Sequence, residues 1–203
     1  MSIKERVVEV SASLFLKHGI KALTMGDIAK ALGISKRTLY EHFDTKEHLL
    51  EGCLEFWEKE NQRIEAEIHE SSANPVEVVH KHFRKSVMLL SNIHTSFFTD
   101  LKKYHSLLWR NRYKCMEHQK LNHIVEFFEL GINDGYFRTD IKPKIAAKLF
   151  FAQVDLLHDD NVFPASGFSK TDVFREITVI FMRGICTEKG IKEIERHFNN
   201  PNF

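Results

Sequence analysis

Two short stretches of the chain place a basic residue beside a hydroxyl residue at the start of a predicted helix. Ser35 is followed by Lys36 and Arg37. Thr45 is followed by Lys46. A helix N-terminus carries partial positive charge, so each cation there is unfavourable by about 0.3–1 kcal/mol. Opposite DNA the same charges become favourable, because phosphates and guanine edges accept hydrogen bonds from Lys and Arg. The chemistry these positions predict is therefore anion binding, with Lys46 and its free helix amides forming a phosphate-sized site.

The alternative for the first stretch is a solvated basic turn. Arg37 precedes Glu41 by four residues, a spacing at which two side chains pair on one helix face. Glu47, next to Lys46, suits the positive end of a helix and is predicted to interact with the helix dipole rather than with DNA. A residue pair that breaks a local stability rule is nevertheless a reason to suspect function.

The elements around these cations predict a helix-turn-helix. A first helix starts at Thr24, whose hydroxyl can pair with the amide of Asp27 in a capping box. Gly33 ends that helix, because a left-handed residue is needed there and glycine adopts it at least cost. Ser35 caps the second helix, and a third begins after Phe43. The positions predicted to be buried recur at helical spacing: Met25, Ile28, Ala29, Leu32, Leu39 and Phe43. The second helix of such a motif fits the major groove of DNA.

The same stretch resembles the DNA-binding region of the TetR family of bacterial transcriptional regulators. The matching positions are Thr24, Ile28-Ala29, Gly33-Ile34-Ser35, Thr38-Leu39-Tyr40, His42-Phe43 and Lys46-Glu47-His48-Leu49. The resemblance covers roughly the first quarter of the chain, and the remainder matches in helical layout alone. Gly26 departs from the family, in which some members carry a long polar or basic side chain near this position. The first helix of the motif therefore has less to offer the bases.

The resemblance implies a role for each matching residue. Lys36, Arg37 and Tyr40 would lie against the groove, with Lys36 and Arg37 reading bases because these positions vary within the family. Phosphates would be contacted by Thr24, Thr38, Tyr40, His42 and Lys46. The predicted DNA-binding set is Thr24, Ser35, Lys36, Arg37, Thr38, Tyr40, His42 and Lys46.

Composition limits how this chain could hold DNA. The 203 residues carry a net charge of +1, and residues 1–48 contain eight Lys and Arg against six Asp and Glu. Affinity must therefore come from a few well-placed cations rather than a broad basic field. No apolar stretch approaches the ~20 residues of a membrane span, and no leader is apparent, so no membrane partner is expected. Three widely spaced cysteines fit a reduced cytoplasmic compartment better than a disulfide framework.

Helical periodicity continues along the rest of the chain and predicts an all-α fold. An N-terminal three-helix helix-turn-helix DNA-binding domain would span 1–48, and a C-terminal helical ligand-binding and dimerisation domain would span 49–203. Ser2 and Glu5 have the spacing of a capping box for the first helix, which should end near Gly19. The third motif helix should continue to about Ile68 as a long rod. Asp140 is predicted to cap a later helix.

Two late segments, near 142–158 and 171–187, are apolar on more than one face. A helix of this kind needs burial on more than one side. One interpretation is a pair of deep core helices. The resemblance implies the other, in which each subunit of a homodimer contributes both helices to a four-helix bundle. DNA half-sites one helical turn apart also require a symmetric dimer.

The region from 83 to 136 is rich in aromatic residues. In the family this part houses an apolar cavity, and its ligand loosens the grip on DNA. The candidate lining residues are Phe98, Trp109, Tyr113 and Phe127. The alternative is plain core packing, which aromatic residues at helical spacing usually indicate. The sequence leaves both interpretations open.

Other chemistry finds little support. Cys115 with His118, and Asp155 with His158 and Asp159, lack the dense ligand spacing of a structural zinc site, so no metal or cofactor is expected. No nucleophile elbow, phosphate loop or paired carboxylates occur, so an enzyme is not predicted.

The sequence therefore predicts a ligand-responsive transcriptional regulator, most often a repressor in this family. It would bind a palindromic operator in double-stranded DNA as a homodimer, in the cytoplasm, and be released by a small apolar or amphipathic effector. The alternative is a DNA-bound protein of the same fold that acts through a protein partner and has no small-molecule inducer.

Overall fold

The computed structural model describes residues 2–159, 161–164 and 166–198, with the backbone alone for 111–120 and 158. The helices in these ranges are α1 (Ile3–His18), α2 (Met25–Leu32), α3 (Lys36–His42), α4 (Lys46–Ser71), α5 (Pro75–Asn92), α6 (Phe97–Tyr104), α7 (Ser106–Asn133), α8 (Pro143–Asp155), α9 (Lys170–Ile185) and α10 (Glu188–Phe198), with a 3-10 turn at Leu156–His158. No β-strand occurs in those ranges, and a single antiparallel bridge joins Phe137 to Cys186. The all-α prediction is confirmed. No helix in the described part is long and apolar enough to span a membrane.

The chain divides into two compact units. The first contains the chain up to Glu67 together with Asn92–Lys114. The second contains Ile68–Ser91 together with the chain from Cys115 onward. The first unit therefore includes more than the 1–48 segment predicted as the DNA-binding domain, and the functional boundary near residue 48 remains a prediction.

The first unit has a core built from the apolar faces of α1 to α4 and α6. Phe15, Ile28, Leu39 and Leu50 are completely buried. The same core includes Phe97 and Leu101, which come from α6 rather than from the motif. Burying one large apolar side chain stabilises a fold by about 1.5–3 kcal/mol, so this shared core fixes α2 and α3 against α1.

Two hydrogen bonds explain why α6 belongs with the first unit. The N–H of His94 donates to the Leu16 carbonyl at the end of α1, at 2.7 Å. The N–H of Lys21 donates to the Asp100 carboxylate of α6, at 2.8 Å. The first bond attaches the segment before α6 to the end of α1, and the second attaches α6 itself to the connection between α1 and α2.

The second unit has its own core, formed by α5, α8, α9, α10 and the end of α7. Its most buried members include Val76, Phe137, Ala147 and Ile194. Gly131 makes room for the Phe137 ring, because a Cβ on that glycine would lie 2.2 Å from Phe137 Cδ2.

The predicted cap at Asp140 is wrong. Helix α8 begins at Pro143, with Lys142 at the N-cap and no side-chain capping bond. The Asp140 carboxylate instead accepts two hydrogen bonds from the Arg138 guanidinium, at 2.9 and 2.6 Å. Arg138 holds the pKa of Asp140 below its ordinary value. A proline at the first helical position has no N–H to satisfy, so this helix start depends less on a capping side chain.

Candidate nucleic-acid interface

Helix α2 begins with the capping box that the sequence predicts. The Asp27 N–H donates to Thr24 Oγ1 at 3.2 Å, and the Thr24 N–H donates to Asp27 Oδ2 at 2.9 Å. The Thr24 hydroxyl also donates to Asp27, at 2.6 Å. These bonds from Thr24, with smaller effects of Lys30 and Lys36, hold the pKa of Asp27 below its ordinary value. The Thr24 hydroxyl must therefore leave this carboxylate if it is to donate to a phosphate.

The turn between α2 and α3 follows from Gly33. This glycine ends α2 in the left-handed conformation, with φ 68° and ψ 28°. The Ile34 N–H reaches back to the Ala29 carbonyl at 3.0 Å, which completes the helix end. Ser35 then caps α3 by accepting the Thr38 N–H at 3.0 Å. The two hydroxyls of Ser35 and Thr38 lie 2.9 Å apart and share a hydrogen bond.

The Lys36 side chain lies across the first turn of α2. A Cβ built on Gly26 would come within 2.7 Å of Lys36 Cε. The absence of a side chain at position 26 therefore has a use that the sequence did not indicate, because it accommodates a cation from the next helix. Lys36 is exposed.

Arg37 makes the ion pair that the alternative interpretation predicts. Its Nε donates to Glu41 Oε1 at 3.2 Å. The two side chains are 90% and 57% exposed, so the pair lies open to solvent. Pairs of this kind contribute about 0–1 kcal/mol, and a DNA phosphate or base edge could replace Glu41 at small cost.

Tyr40 and His42 complete the predicted groove face. Tyr40 is one of the exposed large hydrophobic residues, and His42 is half-buried. Phe43, one residue further, is buried and contacts the ring of His48 edge-on, with centroids 5.1 Å apart. The burial of Leu39 and Phe43 beneath exposed polar residues agrees with a helix that has one packed side and one open side.

Lys46 differs from the other predicted DNA contacts. Its ammonium donates to the Leu23 carbonyl, in the connection between α1 and α2. Partial burial lowers the pKa of Lys46, while the carboxylates of Asp100 and Asp27 act in the opposite direction. The side chain is half-buried, so one of its three N–H donors is committed to the protein.

Asp100 is the residue that sequence reasoning missed. It is buried, accepts the Lys21 N–H, and also accepts the Ser96 hydroxyl at 3.2 Å. Gly19 has φ 81°, and a Cβ on it would lie 2.5 Å from Ser96 Oγ. That glycine was predicted as a helix end. No sequence signal links it to α6, because the partners lie more than seventy residues away.

The candidate ligand-binding residues fall in both units. Phe98 and Trp109 are half-buried and pack against the first core, whereas Phe127 packs against the second core. Tyr113 lies outside the residues whose side chains are described. An open cavity of about 570 Å³ lies between α1 and α4 in the first unit, and none of these four residues lines it.

The candidate metal ligands are only partly described. The side chains of Cys115, His118 and His158 lie outside the described residues. Among the residues that are described, no three His, Cys, Asp or Glu side chains are placed to hold a metal ion.

The two helices predicted to form the dimer each have a buried and an exposed apolar side. Ala146 and Ala147 of α8 and Val173 and Phe174 of α9 belong to the second core. Exposed apolar side chains on the same two helices are Ile145, Leu149 and Ile180.

Comparison with known proteins gives consistent matches. The family model described as bacterial regulatory proteins, tetR family, matches residues 7–53. The HTH-type transcriptional regulator YvaF of Bacillus subtilis is 33% identical over 186 residues, which cover 91% of this chain and 96% of that protein. The HTH-type transcriptional repressor KstR2 of Mycobacterium tuberculosis is 31% identical over 147 residues, covering 69% and 72% of the two chains. A transcriptional regulator from Saccharomonospora viridis, solved in complex with choline, has a similar fold, with a TM-score of 0.72, 22% identity, and coverage of 91% and 98%.

Proposed function

Since this chain belongs to the TetR family of bacterial transcriptional regulators, we propose that it is a repressor that binds a palindromic operator as a homodimer in the cytoplasm and is released by a small molecule. The chain is a DNA-binding regulator and not an enzyme. The operator contacts, the dimer surface and the effector are the proposed parts.

The observation that carries the DNA-binding surface is the first turn of α3. Lys36 and Arg37 are exposed there, although cations at a helix N-terminus are unfavourable in the free protein. Tyr40 is exposed one turn further along, and Leu39 packs the opposite side of the helix into the first core. Lys36 and Arg37 would read the bases. The proposed phosphate contacts are Thr24, Thr38, Tyr40, His42 and Lys46, and Ser35 completes the DNA-binding set as the cap of α3.

The proposed operator contacts are tested by footprinting and by affinity measurements on the protein and its variants. Loss of a base-reading side chain should cost about 1–3 kcal/mol and relax specificity at one position of the operator. Loss of a phosphate contact should weaken binding to all sequences and reduce the salt slope by about one unit. If Lys36→Ala and Arg37→Ala both bind as the parent does, the assigned groove face is wrong.

The proposed dimer surface consists of the exposed apolar sides of α8 and α9. Ile180 is 65% exposed, although its helix also contributes buried residues to the second core. Apolar side chains exposed on two neighbouring helices match a four-helix bundle formed with a second copy. Sedimentation should find a dimer, and Ile180→Glu should weaken it by about 2 kcal/mol or more, because it places a charge in an apolar interface.

A matched control is Leu130→Glu. Leu130 lies on α7 and is 62% exposed, so it introduces the same charge at a similarly open site. The control should dimerise as the parent does. An Ile180→Glu protein that is fully dimeric would place the interface elsewhere.

The proposed effector is a small apolar or amphipathic molecule bound by the C-terminal helical domain. Support for an apolar effector comes from a relative alone, since KstR2 is described as a ketosteroid regulator. The S. viridis regulator was solved with choline, a small cation, which is a second class of ligand to test. Choline and a ketosteroid are therefore the first probes for a thermal-shift measurement. A bound effector at about 100 times its dissociation constant should stabilise the protein by about 2.7 kcal/mol.

An effector must also lower operator affinity, because release requires it to favour the form with weaker DNA binding. A molecule that stabilises the protein and leaves the affinity unchanged would not be the inducer. If a wide screen of apolar and amphipathic compounds gives no stabilisation, the result favours the alternative in which a protein partner controls the regulator.

A further inference from the structure

The end of the Lys36 side chain occupies the space that a side chain at position 26 would fill. A Cβ on Gly26 would lie 2.7 Å from Lys36 Cε and 3.0 Å from Lys36 Nζ. Ordinary van der Waals contact of a Cβ begins at 3.4 Å, so the two side chains could not keep these positions together. A residue of the first motif helix therefore determines where a cation of the second can lie.

This placement restricts a side chain that is long and flexible. Lysine has a flexible four-carbon stem and a compact ammonium. Its methylenes can lie on apolar or backbone surface while the ammonium stays in water. Gly26 provides such a surface, and Thr24 Oγ1 lies 3.5 Å from the position of the same Cβ. The Lys36 ammonium is thereby directed over the start of α2.

We propose that Gly26 is a specificity-determining position, because its missing side chain sets the direction from which Lys36 reaches the bases of the operator. This inference rests on the proposed function, in which Lys36 reads a base. Position 26 acts through Lys36 and is a positioning residue.

The substitution Gly26→Ala separates base reading from folding. The atoms that an added Cβ would meet belong to the free end of a flexible side chain, so Lys36 moves and the backbone does not. Alanine also favours helix more than glycine does. The variant should therefore have a melting temperature equal to or above that of the parent. A lower melting temperature would contradict the assumption that Lys36 gives way.

The test is a double-mutant cycle of Gly26→Ala and Lys36→Ala, read out on the operator and on its single-base-pair variants. Lys36→Ala should reduce discrimination at the base pair it reads by about 5- to 150-fold. Gly26→Ala should alter discrimination at that same base pair and leave the others unchanged. The double variant should equal Lys36→Ala, whereas effects of independent residues would multiply.

The control is Gly52→Ala, a helical glycine of α4 in the same unit. A Cβ there would make contacts of 3.4 Å with Phe43 and Val8, and it would not touch Lys36. Its base preferences should be those of the parent. If Gly26→Ala keeps the parent's preferences, or acts equally in the Lys36→Ala background, the inference is overturned. If the parent itself binds no DNA sequence preferentially, the proposed function fails, and the role of Gly26 fails with it.

Discussion

The first turns of α3 and α4 begin alike and use their lysines differently. In α3, Ser35 precedes Lys36, whose side chain is exposed and lies across Gly26. In α4, Thr45 precedes Lys46, which is half-buried and whose ammonium binds the Leu23 carbonyl. One lysine is available to a ligand at little cost, and the other holds the connection that leads into the motif.

This difference shows what decides the use of a cation at a helix start. Both lysines oppose the helix dipole by the same local rule. Lys46 is compensated inside the protein, by a carbonyl and by the field of Asp100. For Lys36 the charge of Asp27 is nearby, but the structure shows no acceptor in hydrogen-bond range among the described residues, so DNA is the hydrogen-bonding partner we propose.

The largest expected effect on stability is that of replacing Asp100, the α6 residue whose charge acts on Lys46 of α4. Asp100→Ala removes an acceptor from the Lys21 N–H and the Ser96 hydroxyl, and it removes a negative charge from the field at Lys46. Two hydrogen bonds to a charged group are lost, so the free energy of unfolding should fall by about 3 kcal/mol. Chemical denaturation measures this.

The milder variant Asp100→Asn keeps an oxygen acceptor and should lose less stability than Asp100→Ala. If Asp100→Ala unfolds at the same denaturant concentration as the parent, α6 does not hold the connection between α1 and α2. The proposed structural role of the α4 start, which holds the connection between α1 and α2, would then be wrong.

The next effect concerns Lys46 itself. Lys46→Met keeps much of the side-chain length and removes the ammonium that binds Leu23. The free energy of unfolding should fall by about 1–3 kcal/mol, since a charged hydrogen bond is lost. The exposed α4 lysine in Lys59→Met is the control and should change stability by less than about 0.5 kcal/mol.

The salt dependence of DNA binding distinguishes two possible roles of Lys46, as a phosphate contact or as a purely structural residue. If Lys46 also contacts a phosphate through its remaining donors, the slope of log affinity against log salt concentration should be smaller by about one unit in Lys46→Met. An unchanged slope with reduced stability would make Lys46 a structural residue. If the stability is unchanged, the bond to Leu23 does not stabilise the fold, and Lys46 would be as available to DNA as Lys36.

The parts that could be predicted from sequence are those governed by local rules. The capping boxes at Ser2 and Thr24, the left-handed Gly33 and the Ser35 cap all follow from residues within three or four positions of each other.

The parts that could not be predicted depend on partners distant in sequence or on competition between neighbours. Asp100 meets Lys21 across 79 positions, and Lys46 meets Leu23 across 23 positions. Asp140 fails as a cap because Arg138, two residues away, takes its carboxylate. The space at Gly26 is visible only when α2 and α3 are placed together.

On the side of α3, Arg37→Ala should affect DNA more than folding. Its pair with Glu41 is exposed, so unfolding should change by less than about 0.5 kcal/mol. Operator affinity should fall by about 1–3 kcal/mol, with specificity relaxed at one position. Arg63→Ala is a control on α4, because Arg63 also forms exposed ion pairs, with Glu60 and Glu67. Equal effects of the two variants on DNA binding would contradict base reading by Arg37.

The smallest expected effect is that of Glu41→Gln, which releases Arg37. The pair has arginine before glutamate along the helix, which is the less favourable order, and Glu41 lies in the last turn of α3, where the helix dipole disfavours a negative charge. The free energy of unfolding should therefore change by less than about 0.3 kcal/mol. Operator affinity should rise about two- to fivefold, because Arg37 no longer leaves a carboxylate to meet DNA and a negative charge is removed from the proposed groove face. In the Arg37→Ala background that gain should shrink to the part due to charge alone. A gain of the same size in both backgrounds would mean that Glu41 acts on DNA only through its charge, and Arg37 would then be no less available in the free protein than Lys36.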